Sequence, residues 1–209
     1  MRTRDTSAGG QRGFTIVELL IATLVFSVVL LLVTVGILQV SRVYYKGVTE
    51  TNTQNAARNI LDAVSQAVQF NSGTVTPSPL SPPAGSQAFF CVGSQEFIYY
   101  PGYQLVDTVP IPAQHQTSHA VIEQAFSGGC AAPGSLTGRE LLGPKMRISN
   151  LVLKNVGTNL WQVEVRVVFG DDAVINNPTT TTASCKPQQA GTQFCAISDL
   201  STVVVKRVQ

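Results

Sequence analysis

The chain is predicted to adopt an α+β fold, with one long N-terminal α-helix packed on an antiparallel β-sheet head that carries loops and disulfides. Three observations predict it. From Leu19 to Leu38 there are twenty residues without a formal charge, and at about 1.5 Å each a helix of that length spans a bilayer core of about 30 Å. Further on, Ala57, Ile60, Leu61, Val64, Ala67 and Val68 recur at intervals of three and four, the stripe of a helix lying on a sheet. Trp161, Val163, Val165, Val167 and Phe169 then alternate with Gln162, Glu164, Arg166 and Val168, the period of a half-buried strand.

In chain order, the first element is a short basic leader. Arg2, Arg4 and Arg12 precede the apolar run, as in a secretory signal peptide. A signal h-region, however, is only about 7 to 15 residues and ends in a small-residue cleavage site. Here the run is longer and passes into Gln39-Val40-Ser41-Arg42 without an A-x-A pattern. The one small-residue cut lies ahead of it, after Gly13. Such a cut leaves the whole apolar segment on a mature chain of 196 residues, enough for one helix and one moderate head.

Gly13, Phe14 and Glu18 carry a resemblance: the chain is similar to type IV pilins, minor pilins and type II secretion pseudopilins. Their class III signal is a basic leader ending in Gly, an apolar first mature residue and a Glu fifth after the cut. Thr15-Ile16-Val17-Glu18-Leu19-Leu20 is close to that consensus. The likeness covers the first quarter of the chain, and nothing beyond about Val40 is diagnostic. It implies cleavage between Gly13 and Phe14 by a prepilin peptidase, N-methylation of Phe14 by the same enzyme, and withdrawal of the Phe14 to Leu38 helix from membrane lipid into a filament. The partners it implies are other pilin or pseudopilin subunits and an inner-membrane assembly platform. No cofactor is expected. The bulky, loop-rich head favours a minor pilin or pseudopilin over the major fibre subunit. Many members have a helix-breaking Pro in the span, where this chain has only Gly36.

Glu18 has a physical reading beside that resemblance. An ionisable residue at the bilayer centre costs about 2.5 to 3.5 kcal/mol on insertion scales, so it calls for a partner. Cleavage would create one, the α-amino group of Phe14, and the resemblance implies that of a neighbouring subunit. Opposite buried charges then set assembly register, because a slipped subunit strands one of them in apolar surroundings. The corresponding organisation is residues 1–13 leader, 14–40 transmembrane or filament-core helix, 41–70 amphipathic helix half and 71–209 globular head. Basic residues ahead of the span keep the leader cytoplasmic and send the head across, although Arg42 and Lys46 weaken the asymmetry. A single-pass inner-membrane protein with an extracytoplasmic head, later part of a pilus or pseudopilus, is the expected location.

The second helix half is expected to end near Phe70, since Gly73 and Pro77, Pro79, Pro82 and Pro83 follow. The stretch from Thr74 to Gly85 is a Pro/Ser linker by composition. In the head, Met146 to Val156 and Trp161 to Phe169 are joined by Gly157-Thr158-Asn159 as a hairpin. Glu96 to Val106, interrupted at Pro101-Gly102, predicts a second hairpin, and Leu200 to Val208 a final strand whose Lys206 and Arg207 suit an edge. Asn176-Asn177-Pro178 and Thr179 to Thr182 form a polar tract. Four cysteines in a translocated domain predict two disulfides. Pairing by neighbourhood joins Cys91 to Cys130 and Cys185 to Cys195, worth about 4 and about 3 kcal/mol by loop closure, but three connectivities remain open.

Chemistry-bearing constellations are few. His115, His119 and Glu123 are spaced four apart and would align as metal ligands on a helix, but Pro110-Ile111-Pro112 and the polar string around Gln114 predict an exposed loop. Asp171-Asp172 lacks the further oxygens that calcium needs and reads as a solvated turn. No C-x-x-C pair, phosphate loop or nucleophile elbow is present. No catalytic or metal residue is therefore assigned. The leader holds three of 14 basic and one of 12 acidic residues, so the mature chain has 11 of each. Zero net charge argues against nucleic acid as a direct partner. A structural filament subunit is the leading expectation; a membrane-anchored binding or adhesion protein is the alternative, and a secreted enzyme the lesser one.

Overall fold

The structure is a computed structural model and describes residues 13–106, 115–187 and 191–207. Helix α1 runs unbroken over Ile16–Phe70, 55 residues. It begins two residues after Phe14 and ends where the Gly73 and Pro77 signals place it. Strands follow at Ala88–Val92 (β1), Gln95–Tyr99 (β2), Gln104–Leu105 (β3), Gln116–Thr117 (β4), Val121–Ala125 (β5), Arg139–Glu140 (β6), Met146–Gly157 (β7), Leu160–Phe169 (β8), Ile175–Asn176 (β9), Ser184–Cys185 (β10) and Ala196–Val205 (β11). The expected α+β, pilin-like architecture is what the chain forms: a long helix, antiparallel sheets and two disulfides.

The chain divides into two compact units, residues 1–42 and 43–209. In the first, the described helical residues are exposed almost throughout, including Leu24, Phe26, Leu31 and Leu32. Hydroxyls within this apolar stretch turn back on the helix: Thr23 donates to the Leu20 carbonyl at 3.0 Å, Ser27 to Thr23 at 2.7 Å and Thr34 to Leu30 at 2.8 Å. Each polar group is thereby satisfied within its own segment, as a lipid environment demands.

In the second unit the periodic stripe does what its spacing predicts. Ile60, Val64 and Val68 are fully buried and join one cluster with Phe90, Phe97 and Tyr99 and with Leu151, Leu153, Val163 and Val165. The head holds two principal sheets where a single one is expected, in orders β1-β2-β5-β6 and β11-β8-β7, and the helix shares its core with both. Two-stranded pairs β10-β9 and β3-β4 complete it, the latter parallel.

The β7–β8 hairpin is as the alternation predicts, turning at Thr158-Asn159 with Asn159 at φ 58°. The final strand starts four residues earlier than expected and occupies a sheet edge; Val208 lies outside the described residues. The hairpin expected across Pro101-Gly102 does not form. Strand β2 pairs instead with β1 through Gly93-Ser94, and β3 pairs with β4. Gly93 makes the turn possible: its φ is +60°, and a side chain there would collide with the Ser72 carbonyl. Nor is the Pro/Ser segment a loose connector. Val75 bridges Val92, the Ser78 amide donates to the Leu153 carbonyl at 3.0 Å, and the buried Ser78 hydroxyl accepts from the Leu153 amide at 2.8 Å.

Disulfides join Cys91 to Cys130 and Cys185 to Cys195, with no free cysteine among the described residues. The first pins the segment after β5 to β1, and the second closes the loop that leads into β11.

Candidate processing and assembly site

Gly13 and Phe14 precede the helix and are exposed, Phe14 to 85%. A methyl group built on Gly13 meets nothing within 4 Å, and its φ is not in the left-handed region. Neither packing among the described residues nor backbone conformation requires glycine here.

The first helical turn is organised by Thr15 and Glu18. The Glu18 carboxylate accepts the Thr15 amide N–H at 2.9 Å and the Thr15 hydroxyl at 2.9 Å, while the Glu18 amide donates to the Thr15 Oγ1 at 3.2 Å. This is a capping box: two helix-end donors are satisfied reciprocally, and an anion sits at the positive end of the helix. The pattern Thr15-Ile16-Val17-Glu18 ahead of an apolar run carries its sequence signature, and Thr15 is the residue that attention to Glu18 alone overlooks. The carboxylate is thus held close to the start of its own helix, one turn from the Phe14 nitrogen.

The histidine constellation is not brought together. His115 follows the residues outside the described set, where Pro110, Ile111, Pro112 and Gln114 fall, and β4 and β5 put His119 and Glu123 in or beside strands rather than on a helix. Glu123 pairs with Arg139 at 2.7 Å. No group of three metal-ligating side chains occurs among the described residues.

Asp171-Asp172 opens a short 3-10 turn at the surface, as expected, but both carboxylates are engaged. Asp172 bonds the fully buried Arg147 at 2.6 Å and His115 Nδ1 at 3.0 Å. The Arg147 guanidinium also donates to the Gly102 and Gly170 carbonyls, both at 3.2 Å. Asp171 accepts from the buried Gln104 amide at 3.2 Å. This network ties three chain segments around the start of β7, and a buried arginine is tolerated there because a carboxylate and carbonyls surround it. An isolated Arg in Met146-Arg147-Ile148 offers no sequence signal of that role. Two phenols also differ from their ordinary state: burial pushes the Tyr99 hydroxyl well above the usual tyrosine range, and that of Tyr100 upward as well.

A family profile, the prokaryotic N-terminal methylation motif, matches residues 9–34. The chain therefore carries a type IV pilin-like prepilin signal, which spans the leader end, the Gly13-Phe14 bond, the capping box and the first half of the apolar run. The match does not extend into the head. No similarity to a curated protein or to a solved structure was found. The motif, a helix apolar and long enough to cross a membrane and the two disulfides suit a single-pass anchored subunit of a pilus or pseudopilus, a structural role.

Proposed function

We propose that the chain is a minor pilin or pseudopilin, processed after Gly13 by a prepilin peptidase, methylated on Phe14, and drawn from the inner membrane into a helical filament by its apolar helix. Residues 1–13 are the leader, 14–40 the membrane and filament-core segment, 41–70 the amphipathic half and 71–209 the extracytoplasmic head. The observation that carries the reading is the methylation motif with its capped carboxylate at the head of an apolar helix whose described side chains are exposed. Two disulfides favour an oxidising compartment for the head. Packing among neighbouring helices would replace lipid around the apolar stripe, and Glu18 would exchange its Thr15 partners for the amine of a neighbouring Phe14.

The test separates the cap from the charge. Glu18→Gln keeps a capping-box residue but removes the anion, whereas Glu18→Ala removes both. If Glu18 sets register, both variants insert in the membrane and both fail to enter filaments, read by filament shearing and immunoblot. Normal incorporation of Glu18→Gln would overturn the register role. Mass spectrometry of the mature N-terminus should return methylated Phe14, and a terminus beyond residue 35 would instead indicate ordinary secretion.

A further inference from the structure

One groove of the head is not used by the assembly reading. It runs along α1 where Asn59, Asp62 and Gln66 share a face at helical spacing, and its opposite wall is made by Gln95, Glu123 and β6. Two hollows of about 270 and about 410 Å³ share Ala63, Gln66 and Arg139 and so form one continuous depression. The larger lies within the size range of small-ligand sites. Between Asn59 and Phe70 the groove follows about 16 Å of helix at about 1.5 Å per residue, suited to a short oligomer rather than a single ring.

Its polar groups sort into those already engaged and those that are not. Glu123 holds Arg139, and Glu140 accepts the amides of Ala120 at 3.0 Å and Val121 at 2.8 Å. Asn59, Asp62 and Gln66 are exposed and Gln95 is half-buried, and none of their side chains bonds another described residue. What remains is mostly planar amides, each offering donors and an acceptor side by side, with the exposed ring of Phe70 at one end. Three carboxylates against one guanidinium make the groove unfavourable for phosphate, uronate or nucleic acid. The apolar lining is too small for a lipid tail.

We propose that this groove binds a neutral oligosaccharide. Adjacent hydroxyls each donate and accept, matching the side-chain amides and Asp62, and the apolar face of a sugar ring suits the Phe70 ring. The full-length chain, held in a polyoxyethylene detergent that carries no sugar headgroup, is titrated with cellotetraose, maltotetraose and chitotetraose to about 10 mM, with ligand-observed saturation-transfer NMR as readout. Saturable binding of at least one, at about 1 mM or tighter, is expected. Asn59→Ala with Gln66→Ala, exposed helix positions where alanine favours the fold, should weaken it about tenfold or more. Failure of all three sugars to bind overturns the proposal, as does binding that the double substitution leaves unchanged. A zero-length cross-link from Asp62 to a lysine of a second copy in assembled filaments would assign the groove to subunit packing and also overturn it.

Discussion

The two halves of α1 make the same backbone and opposite use of it. Between Ile16 and Arg42 the helix is apolar on every side and buries none of its described residues, whereas between Val43 and Phe70 it buries nine, among them Ile60, Val64 and Val68. Apolar surface left in water is unfavourable by about 25 cal/mol for each Å². The second half relieves that within the chain, on the two sheets; the first half has no such relief among the described residues and requires lipid or other helices. One helix therefore serves folding at one end and anchoring or assembly at the other.

The sharpest way to break this comparison is to delete matched apolar volume in each half. Ile60→Ala should destabilise the head by about 2 to 5 kcal/mol, since it opens a cavity in a closed core. Leu24→Ala should leave head stability within about 0.5 kcal/mol, as expected for an exposed position that joins no buried cluster among the described residues. Thermal melts of the full chain in detergent, followed by near-ultraviolet circular dichroism, measure both. Equal losses would mean that the apolar first half stabilises the head.

The disulfides probe the same division from within the head. Replacing Cys91 and Cys130 together by Ala should cost about 4 kcal/mol, and replacing Cys185 and Cys195 about 3 kcal/mol, in the chain-entropy account. Buried Cys91 adds a packing loss to the first pair. Urea midpoints of the two double variants give the order, and neither should alter insertion of the N-terminal half.

These contrasts also explain what was legible in the chain. The stripe Ile60, Val64, Val68 and the β7–β8 alternation are local patterns, and each is fully expressed in its own element. The β1–β2 hairpin depends on Gly93 taking a left-handed turn against Ser72, and the Val75 to Val92 bridge joins segments far apart in sequence. Arg147 is buried through three separate loops meeting it. The bridge and the arginine network are non-local closures that leave no period in the sequence. Gly93-Ser94, by contrast, is a two-residue turn with a local hairpin signature, passed over in favour of Pro101-Gly102, a turn that the sheets do not use. At the N-terminus the methylation motif is legible because its residues are contiguous. Thr15 belongs to a known local pattern, masked by the stronger functional meaning of its partner.

A smaller effect is expected at Tyr99, whose buried hydroxyl lies beside Ser78 but meets no partner in hydrogen-bonding geometry among the described residues. Its pKa is raised in the folded state by desolvation, so the unfolded chain loses the phenolic proton first. Stability should be flat below the ordinary tyrosine value of 10.0 and fall as pH rises above it. Tyr99→Phe removes both the unpaired hydroxyl and that titration, and should be neutral or stabilising at pH 8. Urea melts at pH 8 and about pH 10.5 should show a shallower alkaline loss for the variant. An undiminished loss would place the titration elsewhere, with Tyr100 the next group to replace.

The smallest effect belongs to Thr15. Thr15→Ala removes the hydroxyl that accepts the Glu18 amide and donates to its carboxylate, and N-cap loss costs about 1 kcal/mol. Because the described residues of the first half support no core, the loss should stay within the first turn: faster amide exchange near Ile16 to Leu19, with no change in the melting of the head. Thr15→Ser keeps the hydroxyl and should restore protection. If Thr15→Ala instead lowers head stability, the two halves are coupled through the continuous helix, and anchoring and folding are not the separate tasks that their burial implies.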